Sequence, residues 1–287
     1  MNDLYDKVAV ITGAASGIGK GMAERFARAG MKLVLVDIEA APLEGTAIVL
    51  REAGAEVMTK IVDVSDGDAM DTLADAALDR FGRVHVICNN AGVAAGGPMW
   101  ELTTKDWEFT MGPNIWGVVH GVRVFAKHLI AQNEGHFVNT ASMAGLVSTP
   151  GMGAYNVTKQ GVVALSETLY LDLQVAGSDV GVSVLCPGFV QTQIWNSGRN
   201  RPKHLSNENA PEHDETLNDF QNSIKTIIDN SMPTEEVANR VHDAILANRL
   251  YILTHESTKP ALAQRIKHIL NDDNPELAPT DPERFTQ

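Results

Sequence analysis

Long apolar runs, disulfide-forming cysteines and excess positive charge are all missing from this chain. No stretch of about eighteen consecutive apolar residues occurs, so no membrane-spanning helix is expected. Met1-Asn2-Asp3-Leu4-Tyr5-Asp6 has neither a basic end nor an apolar core. That argues against a signal peptide and points to the cytoplasm. Two cysteines are too few for a disulfide framework. Cys88 follows the apolar run Val84-His85-Val86-Ile87 and Cys186 ends Val182-Ser183-Val184-Leu185, so both read as small core residues. Lysine and arginine number 23 against 36 acidic residues, a formal net charge of -13. Such a surface repels phosphate backbones, anionic lipids and acidic carrier proteins at long range. Nine histidines are scattered without H-E-x-x-H or Cys/His ligand spacing, and no zinc site is expected.

What the chain does have is alternation. Its 287 residues are 44% hydrophobic, enough for a large core. Short β-branched runs recur at Lys7–Ile11, Lys32–Val36, Glu56–Val62, Val84–Cys88, His136–Thr140, Gly181–Leu185 and Leu250–Leu253. Helical patterns separate them at Lys20–Ala29, Pro42–Ala53, Asp68–Phe81, Trp100–Ala131 and the stretch after Tyr155, followed by Pro233–Ala247 and Lys259–Leu270. Strands alternating with helices predict an α/β fold, a doubly wound parallel sheet of about seven strands with helices on both faces. Residues 1–270 read as a single domain, and 271–287 as a loose acidic tail. Ser65 or Asp66 should cap the third helix, and Thr103 or Thr104 the fourth. Met111-Gly112-Pro113-Asn114 should interrupt that fourth helix, because proline lacks a backbone donor. The kink could let Asn114 hold a water. Trp100, Trp107 and Trp116 read as core or interface. Between 193 and 232 the pattern breaks, in a segment suited equally to a substrate lid or a solvated insertion.

The first strand runs into Thr12-Gly13-Ala14-Ala15-Ser16-Gly17-Ile18-Gly19 and then a helix. The spacing is not the usual G-x-G-x-x-G, yet a glycine-rich strand-to-helix turn lets a backbone approach a pyrophosphate seated on the helix N-terminus. Asp37 ends the second strand, where a carboxylate accepts from adenosine ribose hydroxyls and repels a 2′-phosphate. No arginine or lysine stands at Ser16 or just after Asp37, which favours NAD(H) over NADP(H). Tyr155 and Lys159 are four residues apart, on one face of a helix. A neighbouring ammonium lowers a phenol's pKa from about 10, and the pair suits proton transfer at an alcohol oxygen. Ser142 follows the fifth strand, where its hydroxyl could hold the same oxygen.

In their order along the chain, Thr12-Gly13-x-x-x-Gly17-x-Gly19, Asn89-Asn90-Ala91-Gly92, Ser142, Tyr155-x-x-x-Lys159 and Pro187-Gly188 resemble the short-chain dehydrogenase/reductase family, from about Lys7 to Leu253. The resemblance implies that Tyr155 is the acid or base, that Ser142 hydrogen-bonds the substrate oxygen, and that Lys159 holds the nicotinamide ribose. It implies that Asn114 supports a water relay, and that Gly13, Ser16, Gly17, Ile18 and Gly19 bind the cofactor. By the same likeness Asp63 and Val64 touch adenine, Asn90, Ala91 and Gly92 lie on the adenosine side, and Pro187, Gly188, Phe189, Val190 and Thr192 line the nicotinamide. Hydride passes between nicotinamide and substrate carbon, and no metal is required. A homotetramer or homodimer, built through the helices around Asn114 and Tyr155, is expected from the family.

Ala94, Met143, Met152, Phe189 and Trp195 suggest a pocket for an apolar or ring-bearing secondary alcohol or ketone. Two other readings are a 3-oxoacyl-carrier reductase using NADPH, opposed by Asp37 and the net charge, and a non-catalytic dinucleotide sensor, opposed by the intact Ser142, Tyr155 and Lys159.

Overall fold

Every one of the apolar runs pairs side by side with another in register. In a computed structural model that describes residues 1, 3–207 and 225–277, β1 (Val8–Thr12), β2 (Lys32–Asp37), β3 (Val57–Ile61), β4 (Val86–Asn89), β5 (His136–Thr140), β6 (Gly181–Cys186) and β7 (Tyr251–Leu253) form one sheet. Its order is β3-β2-β1-β4-β5-β6-β7, and every pairing is parallel. The sheet order reverses between β1 and β4, the place where open α/β sheets take ligands at their strand C-termini.

Alternation within the strands divides the core in two. Ala9, Ile11, Leu33 and Leu35 face α1 (Gly17–Arg28), α2 (Ala40–Glu52) and α7 (Thr234–Leu246), with Met22, Phe26, Leu43 and Val241 filling that layer. Val8, Val10, Val34 and Val36 face α3 (Gly67–Phe81), α5 (Gly117–Gln132) and α6 (Gly153–Val175), where Met70, Leu73, Phe125 and Leu129 pack. The central strands are buried on both faces, as a parallel sheet flanked by helices requires. Chain order ends with α8 (Thr258–Leu270).

Local signals settle the open boundaries. Asp66, not Ser65, caps α3, accepting from the Asp68 and Ala69 amides. Thr103 caps α4 (Thr104–Met111) in a reciprocal capping box with Asp106. The expected interruption is a π-helical turn, Gly112–Trp116, placed between α4 and α5. Widening the helix to i→i+5 bonding accommodates Pro113, which has no N–H to give.

Trp100 and Trp116 are 86% and 51% exposed, so neither is a core residue. Trp100 lies in the turn before α4 and Trp116 at the end of the π turn, outside the two core layers. No helix among the described residues is long and apolar enough to cross a membrane. Cys88 and Cys186 are buried free thiols. Of the 193–232 segment, the structure describes 193–207 as two short 3-10 turns, Ile194–Asn200 and Lys203–Leu205, and resumes at 225. The expected tail is described to 277; its remainder lies outside the described residues.

Candidate active site

Because all strands run one way, Thr12, Asp37, Asn89, Ser142 and Pro187 come to a single edge of the sheet. The Thr12 hydroxyl stitches the switch point. It donates to the Cys88 carbonyl at 3.2 Å and accepts from the Asn90 and Ala91 amides at 2.9 and 3.0 Å. Asn90 Nδ2 returns a bond to the Thr12 carbonyl at 3.0 Å, and its Oδ1 accepts from Thr140 Oγ1 at 3.2 Å.

Above that stitch lies the glycine-rich turn. Gly13 has φ +68°, a left-handed value glycine adopts without steric cost. Gly19 sits over it so closely that a Cβ would fall far inside contact distance of the Gly13 carbonyl oxygen. Gly17 packs on Thr192, whose methyl would lie 3.1 Å from an added Cβ. Ser16 is the N-cap of α1, makes no side-chain capping bond, and no acidic residue occupies the first turn. Bare amides at a helix start, with Ile18 in that first turn, favour an anion. Asp37 leans toward the same turn: its Oδ2 accepts from the Ala15 amide at 3.0 Å and its Oδ1 from the Glu39 amide at 3.1 Å. Asp63 is exposed and bonded to Ser65, while Val64 is buried against Gly117.

The second half of the site hangs from α6. Lys159 is buried, and its Nζ donates to the Thr140 carbonyl at 2.9 Å and stands 5.5 Å from the Tyr155 ring centroid. Burial lowers its ammonium to about 8. Ser142, in extended backbone, accepts from the Ala144 amide at 3.1 Å and hydrogen-bonds the Tyr155 phenol. The expectation that the lysine lowers Tyr155 is corrected here: burial raises the phenol, and the Ser142 bond opposes the rise.

Asn114, fully buried in the π turn, is consumed by protein contacts. It bonds both backbone groups of Val93 and the Thr158 hydroxyl. Gly92 lies between, with room for no more than hydrogen: an added Cβ would sit 3.0 Å from Asn114 Oδ1 and 3.5 Å from Lys159 Nζ. The side-chain amide is thus a brace between the loop after β4 and α6. Gly188 donates toward Thr254 Oγ1 and His255 Nδ1 at 3.3 and 3.2 Å. The 3-10 turn Ile194–Asn200 closes the edge, with Ser197 Oγ accepting from the Ala94 amide at 3.1 Å. Trp195 stacks under Lys225, 5.5 Å from Nζ to ring centroid. Met143 begins the 3-10 turn after Ser142, Met152 precedes α6 and bridges Gly97, and Phe189 and Val190 follow β6.

The sequence profile for short chain dehydrogenases matches residues 7–203. The chain belongs to the short-chain dehydrogenase family. A short-chain dehydrogenase/reductase from Burkholderia phymatum, solved in complex with NAD, is 46% identical, covers 98% of this chain and 100% of its own, and superposes with a TM-score of 0.94. A dehydrogenase/reductase of CLA biosynthesis from Lactiplantibacillus plantarum is 38% identical over 96% of this chain and 98% of its own. The 1-deoxy-11-beta-hydroxypentalenate dehydrogenase of Streptomyces exfoliatus is 32% identical over 93% and 89%. Membership fits the site: the glycine cradle, the uncapped start of α1 and the Asp37 carboxylate are the donor and acceptor set a dinucleotide needs.

Four residues of the site were not singled out from sequence. Thr140 and Thr158 give no local signal beyond a polar residue in an apolar run. Glu39 and Arg199, which form an ion pair two residues beyond Asp37, are 160 residues apart.

Proposed function

We propose that this protein is an NAD-linked dehydrogenase that interconverts a secondary alcohol, apolar or ring-bearing, and its ketone. The observation that carries the reading is the gathering of Ser142, Tyr155 and buried Lys159 at the sheet edge, with Lys159 Nζ on the Thr140 carbonyl at 2.9 Å and 5.5 Å from the Tyr155 ring centroid. NAD(H), when bound, accepts or supplies hydride at the substrate carbon. The chain's residues do the rest. Tyr155 takes the proton from the alcohol oxygen in oxidation and returns it in reduction. Ser142 donates to that oxygen and fixes it against the phenol. Lys159 has three N–H donors; one goes to Thr140, and the others suit the nicotinamide ribose hydroxyls. Its positive charge favours the phenolate once that ribose anchor draws it close. Asn114 is a positioning residue, bracing Val93 against α6.

Asp37 supports NAD(H) over NADP(H). Its oxygens already hold two backbone amides at the adenosine end, and a 2′-phosphate there would meet a fixed negative charge. Gly13, Ser16, Gly17, Ile18 and Gly19 would seat the diphosphate, Val64 and Asp63 the adenine, Asn90 to Gly92 the adenosine side, and Pro187, Gly188, Val190 and Thr192 the nicotinamide. Met143, Met152, Phe189 and Trp195 would face the substrate, and 193–232 would act as its lid. A cytoplasmic homodimer or homotetramer is consistent with exposed Trp116, Val157 and Leu171 on the π turn and α6. The name of the hydroxypentalenate dehydrogenase supports a hydroxy compound as the type of substrate.

The test is nicotinamide absorbance with NAD⁺ and a panel of apolar secondary alcohols, for wild type and Tyr155→Phe. The variant should bind NADH as wild type does and lose about 10²–10⁴-fold in rate. A variant that keeps the wild-type rate would remove Tyr155 from the mechanism. NADH binding without turnover of any alcohol would favour the sensor reading.

A further inference from the structure

The Glu39 carboxylate and the Arg199 guanidinium form a bidentate ion pair at the adenosine end of the cleft. Arg199 Nε donates to Oε1 at 3.1 Å and Nη2 to Oε2 at 2.7 Å, and Asn200 Nδ2 adds a third bond to Oε2 at 3.3 Å. The pair is largely covered, with side-chain exposures of 28% for Arg199 and 24% for Glu39. Arg199 holds the Glu39 carboxyl below the usual carboxylate range.

Two further contacts give the pair meaning. The Glu39 amide donates to Asp37 Oδ1 at 3.1 Å, so the ion pair begins two residues from the carboxylate that would take the ribose hydroxyls. Arg199 is also anchored from behind: Nη1 donates to the Gln193 and Asn196 carbonyls at 3.1 and 2.9 Å. These bonds do not involve Glu39, so they would hold the guanidinium in place without it. A guanidinium is the preferred partner of a phosphate because its planar fork matches two phosphate oxygens. A preorganised phosphate receptor therefore stands at the rim where a 2′-phosphate would arrive, with its fork filled by Glu39.

We propose that Glu39 is a second determinant of cofactor specificity, one that sequesters Arg199 from the 2′-phosphate of NADP(H). The inference rests on the reading of Asp37 as the ribose contact. Discrimination then comes from two sources: Asp37 repels the phosphate, and Glu39 withholds a nearby guanidinium fork able to attract it. The sequence conceals this arrangement, because no basic residue stands just after Asp37 and Arg199 lies 160 residues beyond Glu39.

The experiment measures dissociation constants for NADH and NADPH, by protein fluorescence, in wild type, Glu39→Gln, Arg199→Met and the double variant. Glu39→Gln should tighten NADPH relative to NADH by about tenfold, and added salt should erode the gain. Arg199→Met should give no gain, and in the double variant the gain should vanish. A ratio unchanged by Glu39→Gln overturns the proposal. So does a gain that persists in the double variant, which would assign the effect to charge removal alone. Asp37→Asn separates the underlying reading: a ratio unmoved by that change would mean that the ribose contact lies elsewhere, and the inference falls with it. Should Glu39→Gln fail to fold, Glu39→Ala reads the same ratio.

Discussion

One side chain closes both backbone groups of another residue: Asn114 Oδ1 accepts the Val93 N–H at 2.8 Å, and Asn114 Nδ2 donates to the Val93 carbonyl at 2.9 Å. Nδ2 also reaches Thr158 Oγ1 at 3.1 Å. Val93 leaves the sheet edge just after β4, and Thr158 lies one residue before Lys159. The brace therefore ties the loop after β4 to the helix that carries the proposed proton donor. Asn114→Ala would strand a buried amide and a buried carbonyl. A loss of about 2–6 kcal/mol is expected, from about 1–3 kcal/mol for each of the two unsatisfied buried groups, and urea unfolding checks it.

Gly19→Ala tests the cradle. The added methyl would overlap the Gly13 carbonyl oxygen, and Asn90 Nδ2 stands 2.8 Å away on the other side. Backbone cannot give way as a flexible side chain does. NADH binding should fall by more than about tenfold, since one kcal/mol of misfit or two already costs that much. Isothermal titration reads the change directly. Unaltered affinity would mean that the cofactor does not lie over this turn.

Lys159 gives a pH dependence with a definite sign. Its ammonium, lowered by burial to about 8, is charged below that pH and neutral above it. The ribose anchor should therefore be present at neutral pH and be lost as the pH rises through about 8. KM for NAD⁺ is expected to be level in the neutral range and to climb on the alkaline side. Lys159→Arg keeps its charge throughout and should flatten that climb, whatever it does to the rate.

His136 sets a second window, for stability. Ser183 Oγ gives its hydrogen to the Arg249 carbonyl at 2.6 Å, so His136 Nε2 must donate to Ser183 at 2.8 Å. The ring is neutral and fully buried, and burial holds it down at about 3. The unfolded chain takes up a proton near pH 6.5 that the folded chain refuses. This contribution is complete above about pH 6.5 and is lost as the pH falls toward 3. Over the whole window it amounts to about 3–5 kcal/mol. His136→Gln, which retains a donor and does not titrate, should make urea-unfolding stability less steep between pH 7 and 5.

Local signals were legible in the sequence wherever neighbours along the chain decide the structure. Val8 to Thr12 could be read as a strand because its apolar run is bounded by a lysine and a glycine turn, and Asp66 or Thr103 because a cap needs only the next three residues. The parallel, doubly wound character of the sheet followed from the alternation of strands and helices, whereas its strand order is a property of the fold. What stayed hidden depends on contacts across the fold. The register that brings Lys159 Nζ to the Thr140 carbonyl joins α6 to β5. Arg201 meets Asp106 at 2.7 Å, and Arg199 meets Glu39, through pairings that no spacing rule contains. The exposure of Trp100 and Trp116 is likewise a property of where two core layers end.

The bridge between Val190 and Met232, with the Gln191 amide on the Met232 carbonyl at 3.0 Å, brings the chain back to the point from which it departed after β6. A loop whose two ends are fastened together can lengthen at small entropic expense. Its first residues are not free to drift as it does so, because Thr192 packs on Gly17, Ser197 on the Ala94 amide, Arg199 on Glu39 and Arg201 on Asp106. Growth is thereby steered to the middle of the segment, away from the residues that face the sheet edge.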